Sequence, residues 1–242
     1  MEGLILAVFF IGVLIIFMLK YAKAEKRRKQ SGAKPKSVLK TFSDSIRTQE
    51  SFLVSFKYHY DKQEYEAALK VAENIYEADY DFYQKLGWIN FKVGNAERGG
   101  KLYRKSLAST NLDFEKDYIR ADYGIRLFYN KDYRQAIKML QEVTPDTLKE
   151  WKSAYNNDYT VPYYKGKSFM ELGKYELAIS AFKEAPVNKK EPNEELIEII
   201  SLIGECYDKL GKTKQAITWY NKALAHDFSL EGISERVEEL EA

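Results

Sequence analysis

The sequence predicts an all-α protein: one N-terminal membrane-spanning helix, a solenoid of about five helix-turn-helix repeats, and a C-terminal capping helix. Three observations favour this fold. A long uncharged apolar segment begins at Gly3, a short pattern of turn, aromatic and small residues recurs further on, and chain breakers are scarce, with 5 prolines and 13 glycines among 242 residues. Many amphipathic aromatic residues with few breakers are typical of stacked helices. We divide the chain into an anchor at residues 1–21, a linker at 22–47 and a repeat domain at 48–242.

The predicted anchor is an uncharged run of 17 residues, 3–19, of which 13 are Leu, Ile, Val or Phe. Those side chains contribute about −4 to −8 kcal/mol to bilayer insertion, which is enough for one span. A helix of this length reaches about 26 Å, and Lys20 and Tyr21 extend it to the interface. We therefore expect residues 3–21 to contact the lipid bilayer.

A cleaved signal peptide is the competing interpretation, with residues 22–24 as a small-x-small cleavage site. Against it, the segment before the apolar run carries Glu2 and no positive charge, and the run is longer than an ordinary signal sequence. We prefer the uncleaved anchor, and both interpretations remain open.

Positive charge is concentrated directly after this segment. Between Lys20 and Lys40 nine Lys/Arg residues stand against one acidic residue, whereas from Thr41 onward 29 basic residues face 34 acidic ones. The positive-inside rule then places the N-terminus outside and the C-terminal body in the cytoplasm, which predicts a single-pass protein of the bacterial inner membrane. The mildly acidic body argues against nucleic acid as a partner.

A cluster of four consecutive basic residues lies in this stretch, formed by Lys26, Arg27, Arg28 and Lys29. We interpret the cluster as a topology signal, and it is also able to attract anionic lipid at about 1 kcal/mol per residue. Residues 22–47 show little periodicity, so we interpret them as a flexible linker with a reach of about 30 Å.

A pattern of a turn, usually an aromatic residue, and then a small residue followed by an aliphatic one recurs along the remaining chain. Clear copies occupy residues 63–69, 131–137, 173–179 and 211–217, and a weaker copy occupies residues 94–100. The shared small residues are Ala68, Gly99, Ala136, Ala178 and Ala216, at spacings of 31, 37, 42 and 38. Such periods are typical of helical solenoids.

The pattern resembles the tetratricopeptide repeat family, whose unit is a pair of antiparallel helices in about 34 residues. That family places a small residue in the first helix twelve positions before the small residue of the second, and the matching residues are Gly87, Gly124, Gly166 and Gly204. The packing residues of the second helix are Tyr103, Leu140, Phe182 and Tyr220. The resemblance covers about residues 48–227 and implies that small residues let paired helices touch while the large side chain fills the next layer.

Some features depart from the family. The first repeat has Phe56 and His59 where glycine and tyrosine are usual, so we expect the ring of Phe56 to hold the two helices apart. The spacing of 42 implies an insertion around residues 144–160. After the fifth repeat, Ser229 is the predicted cap of a final helix at about residues 230–240.

No group of residues indicates catalysis. The two histidines, His59 and His226, are far apart, and Cys206 is the only cysteine, which excludes an intrachain disulfide and a paired-thiolate zinc site. We expect His59 to be a core or half-buried residue and Cys206 to be a small buried hydrophobe. We therefore predict no catalytic, cofactor-binding or metal site, no cofactor, and no enzymatic activity.

The resemblance also implies a concave groove that binds a protein partner, lined by fixed positions of the first helix of each repeat. The predicted groove residues are Gln84, Trp88, Phe91, Ile125, Phe128, Tyr129, Tyr163, Lys167 and Met170. Packing between helices is an equally good interpretation of Phe91 and Phe128. The groove is aromatic in the middle and acidic in the fifth repeat, at Glu198, Glu205 and Asp208.

The leading functional hypothesis is a membrane-tethered scaffold or adaptor that recruits or organises a protein complex. The alternatives are a regulator of envelope (lipopolysaccharide) assembly, although the paired Cys-x-x-Cys motifs that end such regulators are missing, and a structural component of a secretion or flagellar machine. Fold alone does not decide among them.

Overall fold

The computed structural model describes residues 38–76, 78–144 and 159–242. These ranges contain eleven helices and no strand. The helices are α1 (Val38–Asp61), α2 (Tyr65–Ala72), α3 (Tyr80–Lys92), α4 (Ala96–Ala108), α5 (Asp113–Tyr129), α6 (Tyr133–Gln141), α7 (Thr160–Glu171), α8 (Tyr175–Phe182), α9 (Glu194–Lys209), α10 (Thr213–Leu224) and α11 (Glu231–Glu241). The helices from α1 to α10 match, in order along the chain, the ten helices of the five predicted repeats, and α11 follows them.

The predicted anchor at residues 1–21 and most of the insertion predicted at 144–160 lie outside the described ranges. Within those ranges, no helix has both the length and the apolar character that a membrane span requires. Helix α1 begins at Val38, inside the range that the sequence predicts as linker.

The chain divides into two compact units, residues 1–89 and 90–242, with the boundary inside α3. In the first unit α1 packs against α2, and Ala68 is fully buried. The ring of Phe56 is 2% exposed and meets the ring of Phe82 edge-on, at 4.7 Å between ring centroids. The expectation that Phe56 holds the first helix pair apart is therefore wrong, because the ring packs against Phe82 and α1 still contacts α2.

In the second unit each helix from α4 to α10 packs against the next one along the chain, and α5 also contacts α7. The largest group of buried apolar side chains extends over α8 and α9, and includes Phe182, Ile199 and Ile203. This continuous core lies between successive helix pairs, which is how a solenoid buries apolar surface without a central core.

The turn inside each helix pair has one residue in the left-handed backbone conformation: Gln63, Gly94, Lys131, Gly173 and Gly211. At Gly173 the N–H donates to Met170 O at 2.8 Å, and the following N–H of Lys174 donates to Phe169 O at 2.9 Å. The same two bonds recur in all five turns. This arrangement is the Schellman motif, which satisfies carbonyl groups at the end of a helix and reverses the chain into the next one.

The predicted contact between a small and a large side chain is present in the third, fourth and fifth repeats. A Cβ atom at Gly124 would lie 2.6 Å from Leu140 Cγ, one at Gly166 would lie 2.3 Å from Phe182 Cε1, and one at Gly204 would lie 2.6 Å from Tyr220 Cδ1. Real Cβ atoms do not approach other heavy atoms this closely, so only glycine fits these three positions without a shift of its neighbours.

The small residues of the second helices are also buried as predicted. Exposure is 0% for Ala136, Ala178 and Ala216, and Gly99 and Gly100 of α4 are buried. At Gly100 a Cβ atom would meet Tyr123 Oη at 2.8 Å, so the adjacent glycines permit close packing of α4 and α5.

The final helix α11 covers the apolar end of the fifth repeat, since Val237 is buried with Ala216 and Tyr220. Its N-terminal cap residue is Leu230, so the predicted cap at Ser229 is wrong. The N–H and the hydroxyl of Ser229 both donate to Asp227 Oδ1, at 2.9 and 2.6 Å. The carboxylate two residues upstream therefore holds Ser229 in a local turn and keeps its hydroxyl from the helix.

We expect Gly166→Ala to destabilise the repeat region by about 1–3 kcal/mol, because the added methyl group would overlap the ring of Phe182. The measurement is urea unfolding of residues 38–242, followed by helical circular dichroism.

The matched control is Gly232→Ala in α11, where an added Cβ atom would meet nothing within 4 Å. This variant should be as stable as the parent or slightly more stable, since alanine favours helix. Equal unfolding midpoints for Gly166→Ala and Gly232→Ala would contradict the close approach of α7 and α8.

Candidate protein-binding site

An open cavity of about 600 Å³ lies in the second unit, between the last residues of α3, the second half of α5 and α7. Its walls are Phe91, Lys92, Ile125, Arg126, Tyr129, Asn130, Thr160 and Tyr164. The first helices of three successive repeats supply seven of these side chains, and Asn130 directly follows the end of α5. Three of the nine predicted groove residues, Phe91, Ile125 and Tyr129, are among them.

Aromatic side chains form one wall of this cavity. Tyr129 is 64% exposed, and its hydroxyl lies 2.7 Å from the hydroxyl of Tyr164, which joins the third repeat to the fourth. The ring of Phe128 supports both, with centroids 5.6 Å from Tyr129 and 5.2 Å from Tyr164 in edge-to-face contact. A large exposed ring that is already held in position loses little entropy when a ligand packs against it.

Basic side chains form another part of the wall. Arg126 Nε donates to Asp122 Oδ1 at 3.1 Å, and the guanidinium carbon lies 6.0 Å from the centroid of the Tyr129 ring. Asp122 is itself buried and accepts a hydrogen bond from the Tyr103 hydroxyl at 2.5 Å. This chain of contacts fixes the guanidinium beside the exposed ring, and Lys92 adds a second cation to the lining.

The predicted residue Tyr163 lies next to this cavity and faces the fifth repeat. Its hydroxyl donates to Glu198 Oε1 at 2.8 Å, and its ring meets Tyr164 edge-on with centroids 5.1 Å apart. Burial, with Glu198 as a further cause, raises the pKa of Tyr163 well above the usual tyrosine value. Tyr163 therefore stays protonated and acts as a hydrogen-bond bridge between the fourth and fifth repeats.

The remaining predicted groove residues of the second unit lie outside the cavity. Phe128 is half-buried behind Tyr129, as the packing interpretation of this residue expects, and Met170 packs against the large core group. Lys167 is half-buried on α7.

Two predicted groove residues belong to the first unit. Gln84 is only 5% exposed, so the prediction that its side chain lines an accessible groove is wrong. Trp88 is half-buried, and its ring packs edge-on against Tyr60 at 5.7 Å and Tyr65 at 5.1 Å between centroids. The indole therefore packs against the turn of the first helix pair, since Tyr60 lies near the end of α1 and Tyr65 begins α2.

One of the three acidic side chains predicted in the fifth-repeat groove, Asp208, is already bound within the protein. Arg236 of α11 donates to both carboxylate oxygens of Asp208, at 2.8 and 3.0 Å, and also to Glu239 at 2.6 Å. This pairing holds the pKa of Asp208 below its usual value. Glu198 is exposed and accepts one hydrogen bond from Tyr163, so its carboxylate, like that of Glu205, keeps acceptor capacity for a partner's cation.

Five cavity residues lie outside the nine predicted ones: Lys92, Arg126, Asn130, Thr160 and Tyr164. Arg126 directly follows the predicted Ile125, Asn130 follows Tyr129, and Tyr164 follows Tyr163. The resemblance names single positions, whereas the accessible surface of a helix is wider than one row of residues. Allowing each predicted position the residue that follows it would have found these three residues and Lys92, but not Thr160.

The described part of the chain contains no group of three or more His, Cys, Asp or Glu residues that would hold a metal ion. His59 is half-buried and its Nδ1 lies 2.5 Å from Glu64 Oε2, where it secures the first turn. Cys206 is fully buried, and burial raises the pKa of its thiol to about 12. A thiol with that pKa is not a nucleophile at neutral pH.

Comparison with known proteins supports the helical repeat fold. Residues 197–227 match the tetratricopeptide repeat family, which corresponds to α9, α10 and the turn that joins them. The fold is a tetratricopeptide-type solenoid. No curated protein sequence matches the chain significantly.

Solved structures of MamA share this fold. MamA AMB-1 superposes with a TM-score of 0.58 at 23% identity, over 76% of this chain and 93% of that chain. MamA MSR-1 gives a TM-score of 0.56 at 21% identity, over 78% and 97%. A further crystal structure of MamA gives 0.59 at 18% identity, over 74% and 92%. These superpositions support the fold. Because the sequence identity is low, they do not identify a binding partner, which has to be argued from this chain's own residues.

Proposed function

We propose that this protein is a membrane-anchored scaffold that holds a segment of a protein partner in the cavity between α5 and α7. The observation that carries the proposal is the exposed Tyr129 ring, fixed at the mouth of an open cavity by Tyr164 and Arg126. Exposed large rings that are pre-positioned in concave surfaces are the usual anchors of protein interfaces.

The lining favours a particular kind of segment. Rings of Phe91, Tyr129 and Tyr164 offer apolar surface, and the cations Lys92 and Arg126 stand beside them, with Arg126 held by Asp122 behind the lining. An apolar or aromatic side chain next to an acidic one matches both features, because charge-assisted bonds to Arg and Lys add orientation to the apolar contact.

The anchor is the second part of the proposal. The apolar run at residues 3–19 supports a single span, and the basic residues after it support a cytoplasmic body. Tethering confines the repeats to the membrane surface, where a bound partner is held at a high effective concentration.

The groove is tested by Tyr129→Ala. Loss of an anchoring ring costs about 2 kcal/mol of binding, or roughly thirtyfold in affinity. The full chain, solubilised in detergent, should therefore retain much less of its principal co-purifying protein, as measured by quantitative mass spectrometry.

The matched control is Phe228→Ala, which removes a ring that is 91% exposed and lies in the turn between α10 and α11. It should leave capture unchanged, and both variants should keep the helical circular dichroism of the parent. Retention of the partner by Tyr129→Ala together with its loss in Phe228→Ala would show that the binding surface lies elsewhere.

The orientation is tested with reporters fused after Ala242. An alkaline phosphatase fusion, which is active only outside the cytoplasm, should be silent, whereas a fluorescent protein that matures in the cytoplasm should give signal. The opposite pair of results would place the repeats on the outer side and would exclude a cytoplasmic partner.

A further inference from the structure

Two lysine ammonium groups converge on one indole ring in the last two repeats, at a place that the partner cavity does not use. Lys183 follows the C-terminal end of α8, and Lys222 lies in the last turn of α10. Lys183 Nζ is 5.3 Å and Lys222 Nζ is 4.8 Å from the centroid of the Trp219 ring. The ring is half-buried and packs against the largest core group, so it is a rigid platform for both charges.

The other contacts of these ammonium groups are neutral. Lys183 Nζ donates to the Tyr207 hydroxyl at 3.2 Å, and Lys222 Nζ donates to Asn188 Oδ1 at 2.7 Å. In the part of the chain that the structure describes, neither lysine forms an ion pair with a carboxylate. The nearest acidic residue along the chain from Lys183 is Glu184, and the carboxylate of Glu184 is bound by the buried Lys165.

Convergence without a counter-ion has an electrostatic consequence. Since both nitrogens lie near the centroid of the Trp219 ring, the distance between them is at most about 10 Å. This distance is about one Debye length at 0.1 M ionic strength, so salt does not fully screen the repulsion between the two charges. Two further exposed cations, Lys189 and Lys190, directly follow Asn188 in the same turn region. A bound anion would relieve this repulsion, and the contacts with Trp219 and Asn188 favour positions of the lysines near the same ring.

We propose that Lys183, Lys222 and Trp219 form a binding site for a phosphate group. Two ammonium charges match the charge of a phosphate monoester, which is about −1.5 to −2 at neutral pH. Each ammonium group has three donors, and Asn188 and Tyr207 engage one donor of each in the contacts above, so both lysines keep donors for phosphate oxygens. The phosphate belongs either to a free soluble anion or to the headgroup of an anionic phospholipid, and the chemistry of recognition is the same.

The test is lysine acylation of the full chain in zwitterionic detergent micelles, read residue by residue by mass spectrometry. The probes are inorganic phosphate and, separately, micelles that contain phosphatidic acid, with chloride and acetate at matched ionic strength as controls. Lys101, an exposed lysine that already pairs with Glu97 at 2.6 Å, is the internal control. We expect acylation of Lys183 and Lys222 to slow several-fold together, with Lys101 unchanged.

The variant Lys222→Gln should abolish the protection of Lys183, and Trp219→Leu should weaken it although both charges remain. Circular dichroism checks that each variant keeps its helices. Protection by inorganic phosphate supports a soluble ligand, whereas protection by phosphatidic acid alone supports a lipid headgroup. Equal acylation of Lys183 in phosphate, phosphatidic acid and chloride would overturn the proposal, and so would equal protection by acetate or protection of Lys183 that survives Lys222→Gln.

Discussion

The close approach of the two helices in each of the last three repeats is the constraint on which the second unit depends. In the last three repeats a glycine of the first helix faces Leu140, Phe182 or Tyr220 of the second at a distance that leaves no room for a Cβ atom. The large side chain is then fully enclosed, and the buried alanines of the second helix complete the contact. Because a solenoid has no central core, each such contact also sets the surface that the next repeat packs against.

The cavity follows from this packing. The first helices α5 and α7 contact each other. Side chains of the first helices also meet across repeats: Tyr129 with Tyr164, and Tyr163 with Glu198 of α9. These hydroxyl bonds fix the spacing of the first helices. They also hold Tyr129 beside the cavity, so the same contacts that join successive repeats prepare the proposed binding surface.

The sequence predicted the helix pairs and their internal register because those contacts are local. Gly166 and Phe182 belong to one helix hairpin, and the fixed spacing of such residues in successive repeats predicts their contact. The sequence did not predict that Gln84 is buried, that Arg236 of α11 neutralises Asp208, or that Arg126 and Tyr164 line the cavity. Each of these depends on contacts between different helix pairs, or with the final helix, which no repeat pattern encodes. The ring of Phe56 was misjudged for the same reason, since its partner Phe82 comes from the following helix.

A double-mutant cycle between Gly166 and Phe182 tests the central constraint most directly. Valine at position 182 lacks the three ring atoms that a Cβ atom at position 166 would meet. The account predicts that Gly166→Ala costs at least about 1 kcal/mol less in the Phe182→Val background than in the parent, as measured by urea unfolding. Additive costs, within about 0.3–0.5 kcal/mol, would contradict direct contact between the two positions and with it the packing from which the cavity is derived.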